Sequence, residues 1–84
     1  MFILYEKQNN KIDMESIVIK SKEEDIRKEM KSSIDLYTKP RYGEIAIIKN
    51  QEKNKCILEW DDGEEFSIHI QKIVDMEENS YEKI

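Results

Sequence analysis

Five carboxylates surround one tryptophan and one glycine in the stretch EWDDGEEF, residues 59–66. Closely spaced carboxylates can bind a metal ion, act as a general acid and base, or attract a cationic partner. Each of these chemistries needs a different arrangement of the side chains, so each makes a different demand on the local fold. The residues concerned are Glu59, Trp60, Asp61, Asp62, Glu64 and Glu65.

The spacing of these acids disfavours a metal site and a catalytic pair. The EF-hand calcium loop needs spaced oxygen ligands and a glutamate at its twelfth position, and residues 59–66 lack both. A general acid and base need surroundings that separate their two pKa values, which an exposed turn would supply poorly. We therefore expect a non-enzymatic protein with no catalytic residues, no metal and no cofactor.

The only histidine and the only cysteine give no catalytic signature either. His69 is expected on the surface, and nothing near Cys56 in the sequence would lower its pKa. One cysteine excludes an intrachain disulfide and a cysteine zinc cluster, which favours a buried thiol in a reducing compartment. The chain has no apolar run near the ~20 residues of a membrane span and no signal-peptide pattern. We expect a cytoplasmic protein.

Alternating apolar residues place the acidic stretch at the end of a β-hairpin. A two-residue loop would put Leu58 opposite Ser67, whereas a three-residue loop over 61–63 puts Leu58 opposite Phe66 on one apolar face. Such a loop combines a type I turn with a left-handed residue, and Gly63 occupies that position. Trp60 would then lie at the tip, either capping the core or serving as an exposed aromatic anchor.

A second hairpin is predicted at the N-terminus. Residues 2–5 form an apolar run, asparagines follow at a turn, and residues 12–20 form a longer strand. The alternation of apolar residues in this strand changes parity midway. This change predicts a β-bulge near Glu15 and Ser16.

One amphipathic helix is predicted over about residues 22–37. Ser21 and Glu24 have the spacing of a capping box at its start. Apolar residues recur every three or four positions and define a narrow stripe that would pack on a sheet. The stripe contains Ile26, Met30, Ile34 and Tyr37.

The C-terminal half is predicted to form a three-strand meander. Residues 42–49 have apolar side chains on both faces, which favours a central strand or one covered by the helix. Ile73, Val74 and Met76 suggest a short strand or a helical turn. The fold class is therefore α+β, as one domain over 1–76 with a frayed acidic tail over 77–84. The strand rhythm of 42–76 also fits a small SH3-like barrel, which we keep as the alternative.

The net charge of −5 is concentrated in the second half of the chain. Residues 1–42 carry nine basic and eight acidic side chains, whereas residues 43–84 carry five basic and eleven acidic ones. This asymmetry favours a protein-binding module that inhibits or modulates a larger basic protein, such as one that handles nucleic acid. Small accessory proteins of mobile elements share this size and charge. The expected partner-binding residues are Glu59, Trp60, Asp61, Asp62, Glu64, Glu65, Asp75, Glu77 and Glu78.

An alternative function uses the basic side chains on and after the helix. They could contact nucleic acid or a nucleotide in a regulatory protein, although acids in the same helix offset their charge. The chain has only two glycines and no glycine-rich phosphate loop. The oligomeric state, monomer or homodimer, stays open. The basic group consists of Arg27, Lys28, Lys31, Lys39 and Arg41.

Overall fold

The fold is a small α+β domain with one helix packed on an antiparallel sheet, as predicted. The structure is a computed structural model that describes residues 1–39 and 45–73. Its elements are β1 (Phe2–Gln8), β2 (Lys11–Lys20), α1 (Glu23–Thr38), β3 (Ile47–Gln51), β4 (Lys55–Glu59) and β5 (Glu65–Lys72).

The five strands form one sheet in the order β2-β1-β5-β4-β3. All four neighbouring pairs are antiparallel, and β1 pairs with β5 along its whole length. This pairing joins the N-terminal hairpin to the C-terminal meander and makes β5 the middle strand. Because the three C-terminal strands belong to one open sheet, the alternative of a separate SH3-like barrel is wrong.

The core lies between α1 and one face of the sheet. Ile26, Met30 and Ile34 are buried on the helix, which confirms the predicted stripe. Fully buried partners such as Leu58 and Ile68 cover them from the sheet. Burying one large apolar side chain stabilises a fold by about 1.5–3 kcal/mol. The helix contacts β1, β2 and β5, so its position depends on both halves of the chain.

The ends of α1 agree with the prediction to within one residue, but the capping box is wrong. The N-cap is Lys22, and its side chain makes no capping hydrogen bond. Ser21 therefore lies one residue too early to cap the helix. Acids at positions 23, 24 and 25 occupy the first turn, where the helix dipole favours negative charge. At the other end, Lys39 is extended, as expected for a residue that precedes proline.

The predicted bulge in β2 is present. The register with β1 shifts between Leu4 and Glu6, so that four residues of β2 lie opposite one residue of β1. Ser16 fills the gap, since its Oγ accepts a hydrogen bond from the Glu6 amide at 2.8 Å and donates one to the Asp13 carbonyl at 2.6 Å. The turn before β2 places Asn9 and Asn10 at positive φ, as a two-residue type I′ hairpin requires.

The prediction of a central or helix-covered strand at 42–49 is wrong for the described part. β3 is the last strand of the sheet, and Ile47 and Ile48 are 55% and 43% exposed. Only Ala46, just before the strand, is buried. A strand with apolar residues on both faces can be central or at an edge. The β3–β4–β5 meander is extended on its β5 side, where β1 pairs, so β3 stays at the edge of the sheet. Residues 42–44, Val74, Met76 and the predicted tail 77–84 lie outside the described residues.

Candidate binding site at the acidic hairpin tip

The β4–β5 turn has the predicted three-residue geometry. The Trp60 amide donates to the Glu64 carbonyl at 2.8 Å, and the Gly63 amide donates to the Trp60 carbonyl at 2.9 Å. Gly63 has φ +88°, the left-handed conformation that closes such a loop. In the strands beyond, Leu58 pairs with Phe66, so the predicted register is confirmed. The turn therefore fixes the backbone from which the surrounding acidic side chains project.

Four carboxylates project from this turn, and we call Asp61, Asp62, Glu64 and Glu65 the acidic tip. All four are exposed. Within residues 1–39 and 45–73, none of them forms a salt bridge. Their hydrogen bonds are local: Asp62 Oδ1 accepts from the Glu64 amide at 2.9 Å, and Glu64 Oε2 accepts from Gln8 Nε2 at 3.1 Å.

Glu59 differs from the acidic tip because it has a cationic neighbour. Its Oε2 lies 3.4 Å from Lys49 Nζ on the adjacent strand β3. An exposed ion pair of this kind stabilises a fold by about 0–1 kcal/mol. The negative charge of Glu59 is thus partly offset by Lys49. The four acids of the acidic tip have no such cationic partner among the described residues.

Trp60 caps one end of the core and still presents part of its ring to solvent. Its indole stacks on Phe66 at 4.8 Å between ring centroids and meets Tyr37 edge-on at 5.7 Å. The side chain is half-buried and packs against the core cluster. Trp60 therefore packs on the core and also leaves part of its side chain exposed, so the two interpretations of this residue are compatible.

A cleft of about 310 Å³ lies beside Trp60 at the acidic tip. Trp60, Asp61, Asp62 and Glu64 line it. An aromatic face attracts a cation placed within about 6 Å of the ring centre, and neighbouring carboxylates add to that attraction. The cleft thus has the chemistry to hold an ammonium or guanidinium group.

The helix-side basic residues do not form one free group in the described part of the chain. Arg27 donates to the Lys53 carbonyl at 2.6 Å and to Asn54 Oδ1 at 2.8 Å, so it ties α1 to the β3–β4 turn. Lys39 Nζ lies 3.9 Å from Asp35. Lys28 and Lys31 are exposed.

Four predicted site residues lie outside the described part of the chain. These are Arg41, Asp75, Glu77 and Glu78. A contribution of Asp75, Glu77 and Glu78 to partner binding, and nucleic-acid binding by the helix-side group, stay predictions.

A cluster that the sequence did not predict lies on the open face, which is the face of the sheet opposite α1. His69 points to this face, as predicted, and its ring stacks on Tyr5 at 5.0 Å with an interplanar angle of 7°. Ser67 Oγ lies 2.6 Å from His69 Nε2. Burial lowers the pKa of His69, and the positive charges of Lys55 and Lys7 lower it further. The pairing of β1 with β5 brings Tyr5 and Lys7 to Ser67 and His69, and the pairing of β4 with β5 brings Lys55.

A hydrogen bond between Tyr37 and Glu6 links the helix to β1. The Tyr37 hydroxyl donates to Glu6 Oε1 at 2.7 Å. Burial raises the pKa of Glu6. The hydrogen bond from Tyr37 lowers this pKa, and the negative charge of Asp13 raises it. Burial and the same hydrogen bond also raise the pKa of Tyr37. Since the Tyr37 ring also meets the Trp60 ring edge-on, this hydrogen bond helps to position the aromatic residues next to the acidic tip.

The remaining chemistry-bearing residue, Cys56, is a free thiol buried in the core, as predicted. Burial raises its pKa, which disfavours the reactive thiolate. Among residues 1–39 and 45–73, no three His, Cys, Asp or Glu side chains are grouped so as to hold a metal ion. No helix in those ranges has the length and apolar character needed to cross a membrane.

Comparisons with known proteins place the chain in no family: no family model matches it, and neither the curated proteins nor the solved structures gave a match.

Proposed function

We propose that this chain is a small, non-enzymatic protein-binding module that engages a basic partner through the acidic tip. The observation that carries the proposal is the cleft beside Trp60, where three carboxylates and an aromatic ring converge. A lysine or arginine side chain of the partner would enter this cleft. The neighbouring carboxylates would meet further basic groups around it.

The charge of the tip supports this choice of partner. Its four carboxylates lack salt bridges to the described residues, so a cationic partner can pair with them without first breaking internal ion pairs. Complementary charge across an interface speeds association and selects the partner. A cation against an exposed aromatic ring adds about 0.5–1 kcal/mol.

The biological role that follows is inhibition or modulation of a larger protein. Proteins that bind nucleic acid line their grooves with lysine and arginine, because phosphate contacts dominate that affinity. A rigid acidic hairpin that occupies such a groove would compete with the nucleic acid. An origin in a mobile element, suggested by the size and charge, belongs to the same proposal.

The test is a calorimetric titration of an arginine-rich peptide into paired charge-reversal variants. Asp61→Lys with Asp62→Lys changes the net charge from −5 to −1, since each substitution adds two positive units. Glu15→Lys with Glu52→Lys makes the same change at exposed positions away from the acidic tip. We expect the first pair to weaken binding far more than the second. Equal losses would show that net charge alone attracts the peptide, and the proposed site would be wrong.

A further inference from the structure

We propose that the open face of the sheet binds a mononucleotide, in a depression that runs along β5 beside His69. This depression has a volume of about 510 Å³, within the range of about 300–1,000 Å³ that small-molecule sites occupy. It extends from His69 to Glu65, which at ~3.3 Å per residue is about 13 Å of strand. Such a length suits an extended mononucleotide.

One end of the depression is suited to a phosphate group. Lys7 is opposite Ser67 across the β1–β5 pair, and Lys55 is opposite His69 across the β4–β5 pair. The two lysines therefore flank the Ser67–His69 contact from opposite sides. Within the described residues, neither lysine forms a salt bridge. Two ammonium groups provide charge-assisted donors for a phosphate.

The other end of the depression is suited to the sugar and the base. Glu64, Glu65, Asn9 and Asn10 line it. Carboxylates accept hydrogen bonds from ribose hydroxyls, and amides pair with the polar edge of a base. Positive charge at one end and acceptors at the other match a ligand with an anion at one end and donors at the other.

The same charges disfavour a longer nucleic acid. The protein carries a net charge of −5, and the two glutamates at the far end would repel the next phosphate of a chain. Nucleic-acid-binding domains usually show a strong basic excess. A single nucleotide places its phosphate between the lysines and puts no second phosphate beside the glutamates.

The experiment is an amide NMR titration of the whole chain with AMP, with adenosine and inorganic phosphate as separate arms. We expect AMP to shift the amides of Ser67 and His69, and to bind more tightly than either fragment. Lys7→Gln with Lys55→Gln should weaken AMP binding by roughly tenfold or more, because each variant side chain loses a charged hydrogen bond. Lys22→Gln with Lys53→Gln, at two exposed lysines that do not line the depression, should leave binding unchanged.

Several results would overturn the inference. Absence of AMP-induced shifts in the wild-type protein would do so regardless of how the variants fold. Equal binding of phosphate and AMP would remove the role of the nucleoside, and tighter binding of an oligothymidylate would point to single-stranded nucleic acid instead. The two sites share Glu64 and Glu65, but the two tests change different residues: Lys7 and Lys55 here, and Asp61 and Asp62 for the acidic tip. Failure of one test would therefore leave the other proposal standing.

Discussion

Replacing Gly63 with alanine should destabilise the protein, although the site has room for the new methyl group. No heavy atom lies within 4 Å of the position that its Cβ would take. The loss must therefore come from the backbone, because Gly63 has φ +88°. An L-residue in a left-handed conformation costs about 1–2 kcal/mol. Alanine also restricts the unfolded chain, which returns about 0.4–1 kcal/mol. The central values of the two terms leave a net loss of about 0.5–1 kcal/mol.

Urea denaturation measures this difference directly. For a chain of this size the free energy of unfolding falls by roughly 1 kcal/mol per molar urea, so the midpoint should drop by about 0.5–1 M. Gly63→Asn is the matched control, since asparagine tolerates left-handed backbone and should lose less. If the alanine variant is as stable as the wild type or more stable, Gly63 does not adopt positive φ. The three-residue loop that orients the acidic tip would then be wrong.

Four further predictions concern the core, the Tyr37–Glu6 bond and the open face. Ile26→Ala should cost about 2–4 kcal/mol by urea denaturation because this side chain is fully buried, whereas Leu36→Ala, 54% exposed in the same helix, should stay within about 0.5 kcal/mol. Tyr37→Phe should cost about 1 kcal/mol at neutral pH, since it leaves the half-buried Glu6 carboxylate without its donor. Because the folded pKa of Glu6 is raised above 4.5, its contribution to stability is present below that pH and is lost as the pH rises through the folded pKa; Glu6→Gln should remove this slope from a stability–pH curve. NMR titration should give His69 a pKa below 6.5, so its contribution to stability is present above 6.5 and is lost as the pH falls through the lowered folded pKa. A normal pKa would contradict the burial of His69 against Tyr5 and beside Lys7 and Lys55.

The parts of the fold that the sequence predicted are those set by local patterns. Only one register of the C-terminal hairpin places Leu58 opposite Phe66, and that register forces Gly63 into the left-handed position. The parity change in β2 predicted a bulge, and Ser16 lies in that bulge and hydrogen-bonds across it. The helix stripe follows from the spacing of its apolar residues. Each of these features depends on neighbours within a short stretch of chain.

The parts that the sequence did not predict depend on distant pairing. Residues 2–8 and 65–72 form the middle of the sheet, yet no local pattern identifies them as partners. Because the sequence does not predict that pairing, it predicts neither the stacking of Tyr5 on His69 nor the edge position of β3. The Tyr37–Glu6 bond spans 31 positions for the same reason. For the acidic tip, the sequence located the charges, but the cleft beside Trp60 emerged only from the packing of that ring.

The emission of Trp60 during addition of an arginine-rich peptide shows directly whether a cation enters the cleft at the acidic tip. Trp60 is the only tryptophan in the chain, so its fluorescence reports on the cleft alone. A cation entering the cleft should change the emission in the wild type and in the Glu15→Lys, Glu52→Lys variant. The change should disappear in the Asp61→Lys, Asp62→Lys variant. Binding of the peptide without any change in the emission of Trp60, or the same change in both charge-reversal variants, would contradict a cation-binding site at the acidic tip.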